Sequence, residues 1–271
     1  MKFAGIRRKT EFSPNHVVND LLIINETAEV LKELGADVTM YDEGTISADS
    51  IHEQFVFSMV QGPTGSKTLL KIEARGASII NSPQSVMNCY RINMVEKLPA
   101  AGIPFPKSVI VPTDTDVNWK SAGFTSSKIW IKRGDVHAVH KEDVTIANTD
   151  EEELNLLKEF HSRDIAQAIL QEHLDGDTVK FYAVRGSDLF HWYYLNTVHN
   201  TPVNEKVLRE LALASAEALG LHVYGGDAII GKDGTVTIID INDWPSFAPI
   251  REQASKQIAK LIYSKAKTHG N

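Results

Sequence analysis

The segment GGDAIIGKDGTVTIIDIND, residues 225–243, constrains the fold more than any other stretch of this 271-residue chain. Two β-rich runs flank Asp233-Gly234, and Asp-Gly is a strong signal for a two-residue hairpin loop, whose residues both take positive φ. With those residues as the turn, Lys232 pairs with Thr235, Ile229 with Ile238 and Asp227 with Asp240. Residues directly opposite share a face, with Cβ atoms roughly 5 Å apart. Asn242, two residues past Asp240, points to that same face. The hairpin therefore gathers two carboxylates and an amide oxygen. Like charges facing each other destabilise a sheet unless a cation lies between them, and oxygen-only donors favour Mg²⁺ or Mn²⁺ over zinc. A solvated Asp beside a strand-end cap is the plainer alternative. The independent turn signal puts a metal site at Asp227, Asp240 and Asn242 ahead of it.

Mg²⁺ held by a few carboxylates usually accompanies phosphates, so the chain should also supply cations. Lys132 ends the KIWIK run ahead of Arg133-Gly134-Asp135, Lys180 follows Gly176-Asp177, and Arg91 lies on a helix before a Gly-Ile-Pro-Phe-Pro break. Taken singly, each is more often a surface charge. QGPTGSKTLL (61–70) imitates a phosphate loop but lacks consecutive Gly, Lys and Ser/Thr. It reads instead as a turn with Ser66 as helix N-cap. The excess of 35 Asp+Glu over 28 Lys+Arg, a net charge of −7, speaks against a general nucleic-acid binder. Local cation clusters can still hold an anion.

A strand over 2–7, a helix through Leu21, Ile24, Ala28 and Leu31 ending at Gly35, and strands over 36–43, 54–60 and 77–81 predict a parallel, doubly wound unit in the first 80 residues. The remainder of the chain reads as α+β. A helix leads into the Pro104/Pro106 break and a strand through Val111. Strands are expected over 128–132, 166–174 and in two runs within 179–196 turned at Gly186-Ser187, with helices over 150–160 and 205–220. A lone Cys89 excludes an intramolecular disulfide, and neither a signal-peptide run nor a stretch of about 20 apolar residues occurs. A soluble, cytoplasmic chain without membrane contact is the expectation.

In order and spacing these motifs resemble the ATP-grasp superfamily, over roughly residues 77 to 260. ASIINSPQSVMNCYRINMVEKLPAAGIPFPKSVIV is similar to its opening segment, KIWIKRGD to the strand carrying its second ATP lysine, QEHLDGDTVKFYAVRG to its adenine and ribose hinge, and GGDAIIGKDGTVTIIDINDWPSF to its metal hairpin. The resemblance implies a Rossmann-like N-terminal (pre-ATP-grasp) domain, 1–80, and an ATP-grasp fold of two α+β subdomains, 81–271, with about 107–172 as lid. It implies ATP and Mg²⁺ (or Mn²⁺) as cofactors. Arg91, standing where lysine is commoner, and Lys132 would bind phosphate. Backbone of Glu172 and Leu174 would meet the adenine edge with Gln171 among the cofactor-binding residues, Asp177 would hold the ribose, Lys180 would reach phosphate or substrate, and Asp227, Asp240 and Asn242 would hold the metal.

The reaction implied is a ligase step through an acyl phosphate, as in glutathione-synthase-like and ribosomal-protein glutamate ligases. An inositol phosphate kinase is the alternative, and a nucleotide-binding module without catalysis is a third reading. Lys180, Arg185 and His137 are the candidate catalytic residues, with a strand-end arginine as the plain reading of Arg185. The basic group Arg7, Arg8, Lys9 and His16 is either a substrate-anion site or a solvated cluster. The substrate is expected to be an anionic small molecule or peptide, and a homodimer is compatible with the reading.

Overall fold

Alternation of short apolar strands with amphipathic helices builds the first unit of the computed structural model, which describes residues 1–14, 16–115, 122–136 and 138–269. Strands β1 (Lys2–Arg7), β2 (Asp37–Asp42), β3 (Phe55–Ser58) and β4 (Ser78–Ile80) form a parallel sheet in the order β2-β1-β3-β4. Helix α1 (Val17–Glu33) buries Ile23, Ile24, Ala28 and Leu31, and Gly35 beyond it takes φ +83. Helix α2 (Pro63–Glu73) starts earlier than the sequence reading has it. Its N-cap is Gly62 with Pro63 at the first turn, and Ser66 is buried inside the helix beside the Tyr90 hydroxyl. Proline fits there because its missing N–H has no partner in a first turn anyway.

Helices α3 (Pro83–Asn88) and α4 (Arg91–Ala100) come next, and Ser82 caps the first by accepting from Ser85 N. An antiparallel sheet is built from β5 (Ser108–Pro112), β6 (Ile129–Arg133), β7 (Val144–Ala147) and β8 (Gln167–Glu172), in the order β5-β8-β6-β7. Helix α5 (Asp150–Ser162) covers it through Leu157 and Phe160. The sequence reading has no strand at β7, because VTIA is too short to carry a periodic signal.

The third sheet is antiparallel in the order β10-β9-β11-β12, from β9 (Asp177–Val184), β10 (Phe190–Tyr194), β11 (Val223–Ile230) and β12 (Val236–Asp243). On one face Val179, Phe181, Ala228 and Ile238 pack with α4 and with α6 (Glu205–Leu219). On the other, Tyr182, Val184 and Val223 share a core with Phe57, Ile23 and Ile258, the last from α7 (Arg251–His269). Trp244 and Phe247, both fully buried, sit in that shared core and tie the third sheet to the first. The buried Asn81 side chain adds a polar tie, accepting from His222 N and Val223 N and donating to Val223 O. No described helix is long and apolar enough to cross a membrane.

The β11–β12 hairpin corrects the expected register in part. Asp227 does pair with Asp240, but Ile229 pairs with Thr237 and Ala228 with Ile238, so Ile239 is an extra residue opposite the Asp227/Ala228 step. Gly231 N donates to Thr235 O, which leaves a three-residue loop with Gly234 at φ +82 rather than the two-residue turn. Loop and bulge shift the count by one in opposite senses, so they cancel at Asp240. The bulge also sets the facing. Ile238 points to the core, and strict alternation would send Asp240 there too. One inserted residue turns Asp240 and Asn242 to the open face and returns Ile241 to the core.

Candidate active site

Four strands bring four side chains into line on the open face of the third sheet. Tyr193 of β10 pairs with Lys180 of β9, Lys180 with Asp227 of β11, and Asp227 with Asp240 of β12. In the next row, Tyr182 and Asn242 flank Gly225, where a Cβ would come within 2.7 Å of Phe181 O. Bare backbone there lets Pro245 Cγ and the Tyr182 ring close over it, 2.9 and 3.0 Å from where a Cβ would stand.

Lys180 Nζ lies 2.8 Å from Asp227 Oδ1. Burial pulls the lysine down, but the carboxylate more than restores it, so Lys180 is held charged. Burial pushes the Asp227 carboxyl above its ordinary range, and Asp240 opposite adds to this while Lys180 opposes it. Asn242 Nδ2 reaches Asp240 Oδ2 at 3.5 Å, and Arg91 Nη2 approaches the same oxygen at 4.0 Å. Arg91 opens α4, is 7% exposed, donates to Val136 O at 3.2 Å, and has no acceptor for its buried Nε among the described residues. It stands beside the carboxylates with donor capacity to spare.

Two cavities meet over this row. The first, about 560 Å³, is lined by Glu172, His173 and Leu174 of the segment after β8 and by Gln171, Lys132, Arg91, Asp227 and Asp240. The second, about 580 Å³, lies between the same row and the N-terminal unit, reaching Arg8, Phe12, His16, Gln61 and Pro245. Arg91, Leu195, Asp227 and Asp240 line both. An elongated ligand in one cavity thus ends where a ligand in the other begins.

Lys132 donates to Gln171 Oε1 at 2.6 Å, and Gln171 donates on to Ser108 Oγ. Burial draws the Lys132 ammonium down to about 8. Glu172 turns its carboxylate outward to Thr125 N and Oγ1, and its backbone N donates to Lys107 O. Leu174 lines the first cavity.

Other expected residues are placed elsewhere. The Asp177 carboxylate accepts from Asn200 N and Thr201 N and does not line the first cavity, so it anchors a loop instead of facing the ligand. Arg185 lies five residues along β9 from Lys180, about 17 Å at strand rise. Its Nη2 meets His222 Nε2 at 3.3 Å, away from both cavities, so the geometry gives no support to a catalytic role. His137 lies outside the described residues. Of the basic group, Arg8 and His16 reach the second cavity, whereas Arg7 engages Asn25 and Asp42, and Lys9 engages Glu11. Arg8 is a structural clamp, paired with the buried Asp20 and donating to Met59 O and Trp244 O. Asp243 and Gln61, joined at 3.0 Å, also line the second cavity. The sequence reading omits both. Their one legible signal is an acidic residue directly after Asp240-Ile241-Asn242.

No family model and no curated protein matches the sequence. Solved structures do match the fold. The D-alanine–D-alanine ligase from Bacillus anthracis complexed with ATP superposes with a TM-score of 0.76 at 15% identity, covering 100% of this chain and 98% of that one. A RimK domain ATP-grasp protein from Sphaerobacter thermophilus matches with a TM-score of 0.71 at 15% identity, covering 97% of this chain and 100% of its own. The D-cycloserine synthetase DcsG matches with a TM-score of 0.67 at 13% identity, over 97% of this chain and 100% of its own. The chain has an ATP-grasp fold.

Within this ATP-grasp fold, the buried Lys132 carries a test of its own. A phosphate is attracted by the ammonium and not by the amine, so any phosphate held by Lys132 would bind less tightly as pH rises through about 8. Stability moves the other way. Between about 8 and the ordinary value of 10.5 the unfolded chain holds more protons than the folded one, so this group makes folding more favourable as pH rises. If Lys132 holds a nucleotide phosphate, ATP affinity bends downward above pH 8 and Lys132→Arg removes the bend. A flat profile from pH 7 to 9.5 would refute the assignment.

Proposed function

We propose that the chain is an ATP- and Mg²⁺-dependent ligase that joins a carboxylate to an amine through an acyl phosphate. The observation that carries the reading is the Lys180–Asp227–Asp240–Asn242 set at the junction of two cavities, with Arg91 and Lys132 beside it. An ATP with its base at 171–174 would lay its phosphates along that row, and residues 107–172 would act as the lid over it. Among the described residues no three His, Cys, Asp or Glu are grouped to hold a metal. The donor set is instead two carboxylates and an amide oxygen, which suits Mg²⁺ with water and phosphate completing its shell. The half-buried like-charge pair Asp227/Asp240 is what a divalent cation would relieve.

When bound, the metal would supply charge neutralisation at the transferring phosphoryl group. The chain's own groups do the rest. Lys132 and Arg91 orient the phosphates, and Lys180, held charged by Asp227, stands where charge develops between donor and acceptor. Walls from the N-terminal unit keep the acceptor beside the row.

The second cavity favours a ligase over an inositol phosphate kinase. Its described lining carries Arg8, Arg91 and Lys180 against Asp20, Asp227, Asp240 and Asp243. Arg8 and Lys180 are already paired. A substrate with several phosphates needs a surplus of cations, whereas an amine nucleophile does not. The buried, unpaired Cys89 fits a reducing, cytoplasmic setting.

Incubation with Mg²⁺-ATP and mixtures of carboxylates and amines, with hydroxylamine as trap, tests the reading. Release of ADP and inorganic phosphate with hydroxamate formation is expected. Transfer of phosphate onto a stable product such as an inositol phosphate, with no free phosphate, would replace it by the kinase.

A further inference from the structure

We propose that the loop of residues 195–201, held in place by the Asp177 carboxylate, forms the sugar-side wall of the nucleotide cavity, with the Asn196 amide nitrogen donating to a ribose hydroxyl. The inference rests on the ATP reading above. A nucleotide runs base, sugar, phosphate. With the base at 171–174 and the phosphates at the Lys180–Asp227–Asp240 row, whatever lines the stretch between them faces the sugar. Leu195, Asn196 and Thr178 line that stretch. Thr178 stands two residues before Lys180 on β9, about 7 Å toward the hinge. Leu195 stands two residues after Tyr193 on the same face, with its N–H on Thr178 O.

The loop is built rather than draped. Asn196 Oδ1 accepts from Thr178 N at 2.6 Å, which fixes the plane of the amide. Its Nδ2 makes no hydrogen bond among the described residues and belongs to a side chain lining the cavity. The far end is pinned by Asp177 accepting from Asn200 N and Thr201 N at 3.0 and 2.9 Å, and by Tyr194 Oη donating to Thr201 O. Between the pins, the His199 ring stacks on Tyr194 at 3.7 Å with 7° between planes. Those backbone bonds hold the Asp177 carboxyl below its usual range, so it stays an acceptor through the neutral region. Asp177 is thus a positioning residue, acting on the sugar through the loop.

Leu195 serves as a partition. It is 47% exposed and lines both cavities, an apolar side chain kept at the boundary between the nucleotide and the acceptor.

Calorimetric binding of ATP, 2′-deoxy-ATP and 3′-deoxy-ATP in Mg²⁺ tests the proposal on the wild type and three variants. The wild type is expected to prefer ATP over at least one deoxy analogue by roughly 3- to 10-fold, the worth of one hydrogen bond. Asn196→Ala should lower ATP affinity by that factor and lose the preference, since the analogue never made the bond. Asp177→Ala should lose it as well, and Asp177→Asn, which keeps an acceptor oxygen, should restore it. Equal weakening toward all three nucleotides, or a wild type indifferent to both hydroxyls, would overturn the proposal while leaving the ATP reading intact. A wild type that binds no ATP at all would overturn both.

Discussion

Asp240→Ala is expected to lower Mg²⁺-dependent ATP turnover by about 10³-fold or more while leaving the chain folded, as removal of a central electrostatic contact in a transition state does. The asymmetry between function and stability comes from the row. Asp227 has Lys180 at 2.8 Å, and Asp240 faces Asp227 across the ladder with Asn242 Nδ2 at 3.5 Å and Arg91 at 4.0 Å. Removing Asp240 relieves its opposition to Asp227 but also gives up its attraction to Arg91, Lys132 and Lys180, and these opposed changes keep the melting temperature without ligand within about 4 °C of wild type. The change is in linkage: Mg²⁺ with a non-hydrolysable ATP analogue should raise the wild-type melting point and leave the variant unmoved. Normal turnover in the variant would remove the metal assignment. Lost turnover with lost folding would make Asp240 a structural residue.

Trp244→Ala carries the largest expected loss of stability, about 3–5 kcal/mol, from deleting a fully buried aromatic whose pocket cannot collapse. Trp244 is 0% exposed, stacks on Phe57 of β3 with ring centroids 6.3 Å apart, and its carbonyl accepts from Arg8. One residue therefore joins the first sheet, the third sheet and the Arg8–Asp20 clamp. The melting temperature should fall by roughly 10 °C for a chain of this size. Trp244→Phe keeps most of the ring contact and removes an indole N–H that is buried with no acceptor among the described residues, so a far smaller loss is expected. If the alanine variant melts with the wild type, the two sheets do not depend on each other through this residue.

Legibility in the sequence tracked the range of the interaction. The parallel pairing of the first four strands and the helix ending at Gly35 rest on local periodicity, and both are present; Asp227 does face Asp240, but through a longer loop and a bulge that cancel. The hairpin's detail was not legible. Asp-Gly signals a turn but not its length, and nothing local marks Ile239 as the bulged residue. Asp177 shows the limit of carrying a role across by motif alone, because its neighbours in space, Asn200 and Thr201, are 23 and 24 positions away. Gln61 and Asp243 lie further apart still, and only the stacking of the first sheet against the third brings them to one wall.

The slip at Ile239 divides the hairpin into two independently phased ladders. Pairs beyond it, from Ala228–Ile238 to Ile230–Val236, run in one frame, and those from Asp227–Asp240 inward run in another. Insertions or deletions toward the tip are absorbed on the far side of the slip, in matched pairs, without rotating the acidic residues off the open face. The hairpin tip can thus change length in matched pairs while Asp240 and Asn242 keep their facing, whereas a single-residue change within their frame would turn them off the open face.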